Sequence, residues 1–159
     1  VAARVVEAAP AFLLQAAYAL VHAPWLVANL QLDAPLRDRA GAAPSWDNVL
    51  FGAAGLGYVD AMHQSLRSVP GPTVLTHYRT LMHGPAQVPA AIMASNARQQ
   101  LLDAPWSHWR DTVLAELAQA HPDLPAKVRR LDVTRYGHAM ACPVPGISSQ
   151  IGLQPPWNM

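Results

Sequence analysis

Residues 25–32 read WLVANLQL, and the alternation in this run decides the fold class. Leu26, Ala28, Leu30 and Leu32 are apolar throughout, whereas Trp25, Val27, Asn29 and Gln31 turn polar along the run. A period of two with one uniformly apolar set marks a strand that buries one face. TVLTHYRTL, residues 73–81, repeats the pattern, with Val74, Thr76 and Tyr78 on one side and Leu75, His77 and Arg79 on the other. WDNVLF (46–51) and GYVDAMHQ (57–64) are shorter strand-like runs split by Gly52, Gly55 and Gly57, VPGPT (69–73) is a turn, and VRRLDVTRYGHAM (128–140) is a further strand. Consecutive strands with short connections predict a largely antiparallel sheet.

Helical signals lie on either side of these strands. AFLLQAAYALV follows Pro10, is apolar on nearly every face, and is therefore expected to be a mostly buried helix that Pro24 ends. ASNARQQLLDA offers Ser95 or Asn96 as an N-cap. From Trp106 to Ala120, Trp106, Trp109, Val113, Leu114 and Leu117 form one apolar stripe, which leaves His108, Asp111, Glu116 and Gln119 mostly on the helix surface. ARVVEAA (3–9) reads as a strand closed by Pro10, residues 33–45 as a surface connection, and HPDLPAKV (121–128) as a turn. The expected class is α+β, a mixed or largely antiparallel sheet flanked by helices in one domain over residues 1–159.

Composition narrows the functional classes. Of 159 residues, 52% are hydrophobic and 13% charged, against about 25% charged in an ordinary soluble domain. A net charge of +1 with scattered basic residues argues against nucleic acid, which needs a basic stripe. Five Trp and four Tyr in so apolar a chain argue against disorder. Residues 8–32 carry no formal charge, a length that reaches across a bilayer, but Pro10, Gln15, His22, Pro24, Asn29 and Gln31 interrupt them. Buried passage within a fold is the better reading, and a membrane partner is not expected. A single cysteine, Cys142, fits a reducing, cytoplasmic setting and reads as a buried structural thiol. The opening VAARVVEAAP reads as the middle of a longer protein.

Chemical motifs are sparse. GAAGLG (52–57) has the spacing G-x-x-G-x-G, the reverse of the dinucleotide fingerprint, and reads as flexible turn glycines. The seven histidines include no H-x-x-x-H or H-E-x-x-H pair, and no G-x-S-x-G elbow occurs. What remains is a set of polar-aromatic strand ends, WDN (46–48), THYR (76–79) and RYGHAM (135–140). These residues suit either an ordinary half-buried sheet face or an apolar pocket with a few convergent polar groups.

Taken in order, RVVEAAPAFLL, APWLVANLQL, WDNVLF, GLGYVDAMHQS, PTVLTHYRTL, LLDAPWSHWRDTVLAELAQAHPDL and VRRLDVTRYGHAMACPVPG resemble the substrate-domain half of flavin-dependent amine oxidase-like oxidoreductases. That superfamily contains monoamine oxidases, protoporphyrinogen oxidases and phytoene desaturases. The likeness runs from Arg4 to Gly146. It implies a sheet that roofs a flavin ring, with FAD held by a separate Rossmann-type half, a small-molecule substrate between them, and hydride transfer from substrate to flavin. It also implies that residues 1–10 are a return strand of that FAD-binding domain, which this chain lacks together with G-x-G-x-x-G, and that the chain alone is inactive. By position, Tyr136 and His138 become the leading substrate-side residues, followed by Tyr78, His77 and Trp46. No residue is marked as catalytic. The rival expectation is a non-catalytic small-ligand-binding or interaction domain that has lost the FAD-binding half. Either way, low charge implies an exposed apolar patch beside Tyr136 and His138.

Overall fold

Strand β1, Val21–Leu32, is the centre of the molecule. In the computed structural model, which describes residues 2–37, 45–82, 84, 87–143 and 145–150, β1 is hydrogen-bonded on both sides. The elements run α1 (Ala2–Val5), α2 (Ala11–Ala19), β1, β2 (Asp47–Asn48), β3 (Gly57–Asp60), β4 (Thr73–Thr80), α3 (Ala90–Asp103), α4 (Trp106–Ala120), α5 (Leu124–Lys127) and β5 (Val128–Cys142). The sheet order is β2-β3-β4-β1-β5, and every pair is antiparallel. The fold is α+β.

Alternation along β1 works as its sequence implies. Leu26, Ala28, Leu30 and Leu32 are buried. Residues opposite one another in an antiparallel pair share a face, so Leu75 and Leu131, which flank Leu30, join them. Ala97 and Leu101 of α3, Trp109, Val113 and Leu117 of α4, and Leu124 of α5 close this core. Full burial of a leucine side chain contributes about 1.5–3 kcal/mol, and six leucines here have no exposed surface at all: Leu26, Leu30, Leu75, Leu101, Leu117 and Leu124. One arginine from β5 and one from α3 pin α3 to the sheet. Arg135 donates to the carbonyls of Leu102 and Ala104 at the end of α3, where cations are favoured, and Arg98 of α3 donates to the Gly137 carbonyl.

Several expectations need correction. Residues 3–9 do not form a strand: helix α1 ends at Val5 and a turn follows. Residues 3–9 pair with none of the five strands, and an Ala-rich segment without a strand partner takes its local helical preference. Helix α2 forms where expected but buries none of its residues, with Phe12 and Tyr18 exposed. Pro24 does not end it, because the helix stops at Ala19 and Pro24 lies inside β1. There the β1–β5 register shifts between Ala23 and Trp25, an irregularity that tolerates a missing N–H, and the Pro24 carbonyl accepts from Leu81 N. Helix α3 starts at Ala90 rather than at Ser95 or Asn96, which lie inside it. HPDLPAKV holds a helical turn, α5, and the strand content of WDNVLF shrinks to two residues. The 33–45 connection lies outside the described residues over 38–44.

Candidate functional site

The helices that enter the core all sit on one face of the sheet. The opposite face is formed by Trp25, Val27, Asn29 and Gln31 of β1, Val74, Thr76 and Tyr78 of β4, and Arg130, Asp132, Thr134 and Tyr136 of β5. None of these side chains is fully buried. Register sets Trp25 opposite Tyr136 and Val27 opposite Tyr78, and the Trp25 and Tyr78 rings lie 6.5 Å apart, tilted by 41°. Tyr136 keeps 49% of its surface exposed. Beside the rings, Thr76 Oγ1 donates to Asn29 Oδ1 at 2.8 Å, which ties the polar groups of the face to one another. Burial and the charge of Asp47 hold the Tyr78 hydroxyl above its ordinary value, so it stays a neutral donor and acceptor. The arrangement is an apolar, aromatic platform with a small polar margin.

The five residues singled out by sequence do not converge on one point. Tyr78 and Tyr136 flank Trp25 on the bare face. His138 lies beyond the β1–β5 irregularity, its ring 6.4 Å from that of His22. Desolvation first, then the charges of Arg98 and His22, hold its pKa below the ordinary imidazole value. Trp46 stands at the far edge beside β2, exposed and 5.6 Å from the His63 ring. His77 points the other way, into the core. Trp25 was not on the sequence list, although its alternation with Leu26 already placed it on the face opposite the apolar set.

Around His77 a second polar constellation runs through the apolar core. His77 has no exposed surface, and Nε2 donates to Glu116 Oε1 at 2.8 Å, so that nitrogen carries the proton. Arg79 Nη1 donates to Glu116 Oε2 at 3.0 Å, and Gly55 N donates to both carboxylate oxygens at 3.1 Å. Glu116 is buried, contrary to its expected surface placement. It stands three residues after Val113 and seven after Trp109, positions that share the buried side of α4. That spacing was the available signal. Tyr58, opposite His77 across β3 and β4, shares a 2.6 Å hydrogen bond with His121 Nε2, and burial followed by Asp60 raises its hydroxyl pKa.

Two glycines of the run, Gly55 and Gly57, are closely surrounded. A Cβ on Gly55 would collide with Glu116 and stand 2.6 Å from His77 Nε2. Gly57, with φ +109°, would collide with the Asn48 carbonyl. Because the Gly55 amide is already taken by a carboxylate, the loop 52–57 does not fit a pyrophosphate and supplies no cradle for FAD. Cys142 is half-buried at the end of β5. No group of three or more potential metal ligands occurs among the described residues, and no helix among them is long and apolar enough to cross a membrane.

No protein-family model and no curated protein matches the chain.

Proposed function

We propose that the chain is the substrate-facing part of an FAD-dependent oxidoreductase of the amine oxidase type. The observation that carries this reading is the one-sided sheet, with helices on one face and Trp25, Tyr78 and Tyr136 side by side on the other. A rigid apolar wall of this kind excludes water and orients a small substrate, the protein's share of work when a cofactor does the redox chemistry. The flavin, which takes up the hydride in this class, would be held by a separate domain, a reading supported by the commitment of the Gly55 amide to Glu116. Phe12 and Tyr18 on α2, with Val5 and Val6 before it, are exposed apolar surface of the kind such a domain would cover. The role of this chain's residues is to line and dry the site.

The test is to produce the chain joined to the FAD-binding half that the reading requires and to record the visible spectrum. Bound flavin, with a loss of substrate turnover in a Tyr78→Ser/Tyr136→Ser variant that still binds flavin, supports the reading. A protein with no flavin absorbance contradicts it. If such a protein still binds small apolar molecules on the Trp25 face, the non-catalytic binding domain becomes the better account.

A further inference from the structure

The two edges of the sheet are unlike. One is closed by β2, only two residues long, and so short a strand offers little backbone to pair with. The other is β5, which runs for 15 residues with β1 on one side only. An antiparallel strand turns its N–H and C=O groups alternately to its two sides, so half of the β5 backbone groups face away from β1. At Gly137 the Arg98 side chain covers this edge by donating to the carbonyl at 2.9 Å. From Arg129 to Tyr136 no side chain caps the outward backbone groups among the described residues.

Charges along this edge are self-complementary. Arg130 and Asp132 lie on the bare face with 65% and 45% of their side chains exposed, and Arg130 Nε donates to the two Asp132 oxygens at 3.0 and 2.8 Å. That leaves the terminal guanidinium nitrogens for a second carboxylate. A two-fold axis perpendicular to the sheet pairs β5 with its own copy, and residues opposite one another then share a face. Centred on Leu131, this pairing sets Arg130 opposite Asp132 of the second copy at both symmetric positions. Centring it on Arg130 or on Asp132 instead sets two arginines or two aspartates against each other. On the helix side the same register brings Leu131, at the margin of the core, against its copy. The other cations of the edge are bound within their own chain, Arg129 by Asp33, Lys127 by Asp123 and Arg135 by the Leu102 and Ala104 carbonyls.

We propose that β5 is a homodimerisation edge: two copies of the chain join antiparallel about Leu131, through backbone hydrogen bonds and two reciprocal Arg130–Asp132 pairs. The two five-stranded sheets become one continuous sheet. The axis keeps both sets of helices on one side and both Trp25 faces on the other, so the pairing neither requires nor obstructs the substrate role proposed above.

Sedimentation velocity of the chain over a concentration series tests the dimer. The unaltered chain should pass from monomer to dimer as concentration rises, and added salt should weaken the dimer because the charge pairs are exposed. Arg130→Asp and Asp132→Arg, made singly, set like charges opposite one another at both positions, and each should weaken the dimer by about tenfold or more. Mixing the two single variants restores opposite charges across the axis. The mixture should therefore dimerise at concentrations where neither variant does alone, which also shows that both are folded. A chain that is monomeric throughout would overturn the proposal, the charges then serving only to blunt the edge. So would a dimer that both single variants leave equally stable, or one that mixing does not restore. If either variant fails to fold, amide hydrogen exchange of the unaltered chain decides: outward-facing amides of residues 129–133 should gain protection with concentration, and rates independent of concentration contradict the pairing.

Discussion

The two faces of the sheet are built from the same three strands and differ in almost everything else. On one, leucines of β1, β4 and β5 meet the helices α3, α4 and α5, and even the charged groups that enter are bonded from several sides. On the other, aromatic and hydroxyl side chains lie half-buried or open with no core behind them. Apolar rings left without a core contribute little to folding, whereas the covered face is where folding energy is gained. A substitution should therefore cost stability in proportion to the face it touches.

The largest effect is expected at Glu116. Glu116→Ala removes the acceptor shared by His77, Arg79 and Gly55, and breaking a buried ion pair from one side costs about 3–5 kcal/mol. Urea unfolding should show that loss, and a variant within about 1 kcal/mol of the original protein would mean the constellation is not sealed from water. Leu30→Ala, at a position with no exposed surface, should cost about 2–5 kcal/mol in the same measurement. Gly55→Ala comes next, at about 1–3 kcal/mol, because the new methyl must displace Glu116 or the loop. Its signature is a faster-exchanging loop with the β1 amides unchanged.

A smaller effect is expected at Lys127 and Asp123, outside both faces, where α5 holds the end of the 33–37 segment. Lys127 Nζ donates to Asp123 and to the Pro35 carbonyl, and Asp123 also accepts from Arg37 N. The Lys127 hydrogen bond is the main reason the Asp123 carboxyl falls to a pKa of about 2. Its depressed value means that the stabilisation is present above the ordinary carboxylate range and is lost as pH falls through about 2. Being near the surface, the pair is expected to contribute at most about 1 kcal/mol, so Lys127→Met should shift the urea midpoint only slightly.

The faces were legible in the sequence because alternation is a local signal. Residues 25–32 and 73–80 show it plainly, and α4 begins and ends where its apolar stripe does, between Pro105 and His121. What local pattern cannot give is the partner. Pro24 looked like a stop because only the register with β5 reveals the irregularity that admits it. Helix α2 looked buried because its composition is apolar, yet burial depends on what lies against it. The apolar stripe of α4 leaves Glu116 on the surface only because a charged residue is not counted in it, and the resemblance names His77 together with Tyr78 although the strand alternation already sends the two to opposite faces. The glycines of 52–57 showed a turn but not that Gly55 gives up its side chain to a carboxylate 61 positions away.

The most direct test compares two residues of the same strand. Leu131 and Tyr136 both lie on β5, Leu131 8% exposed against the helices and Tyr136 on the bare face. Measured by urea unfolding, Leu131→Ala should cost about 2–5 kcal/mol, and Tyr136→Ala less than about 1 kcal/mol, the worth of a cross-strand pair. If Tyr136→Ala costs as much as Leu131→Ala, the second face is part of the folding core and cannot be the open platform described for a substrate.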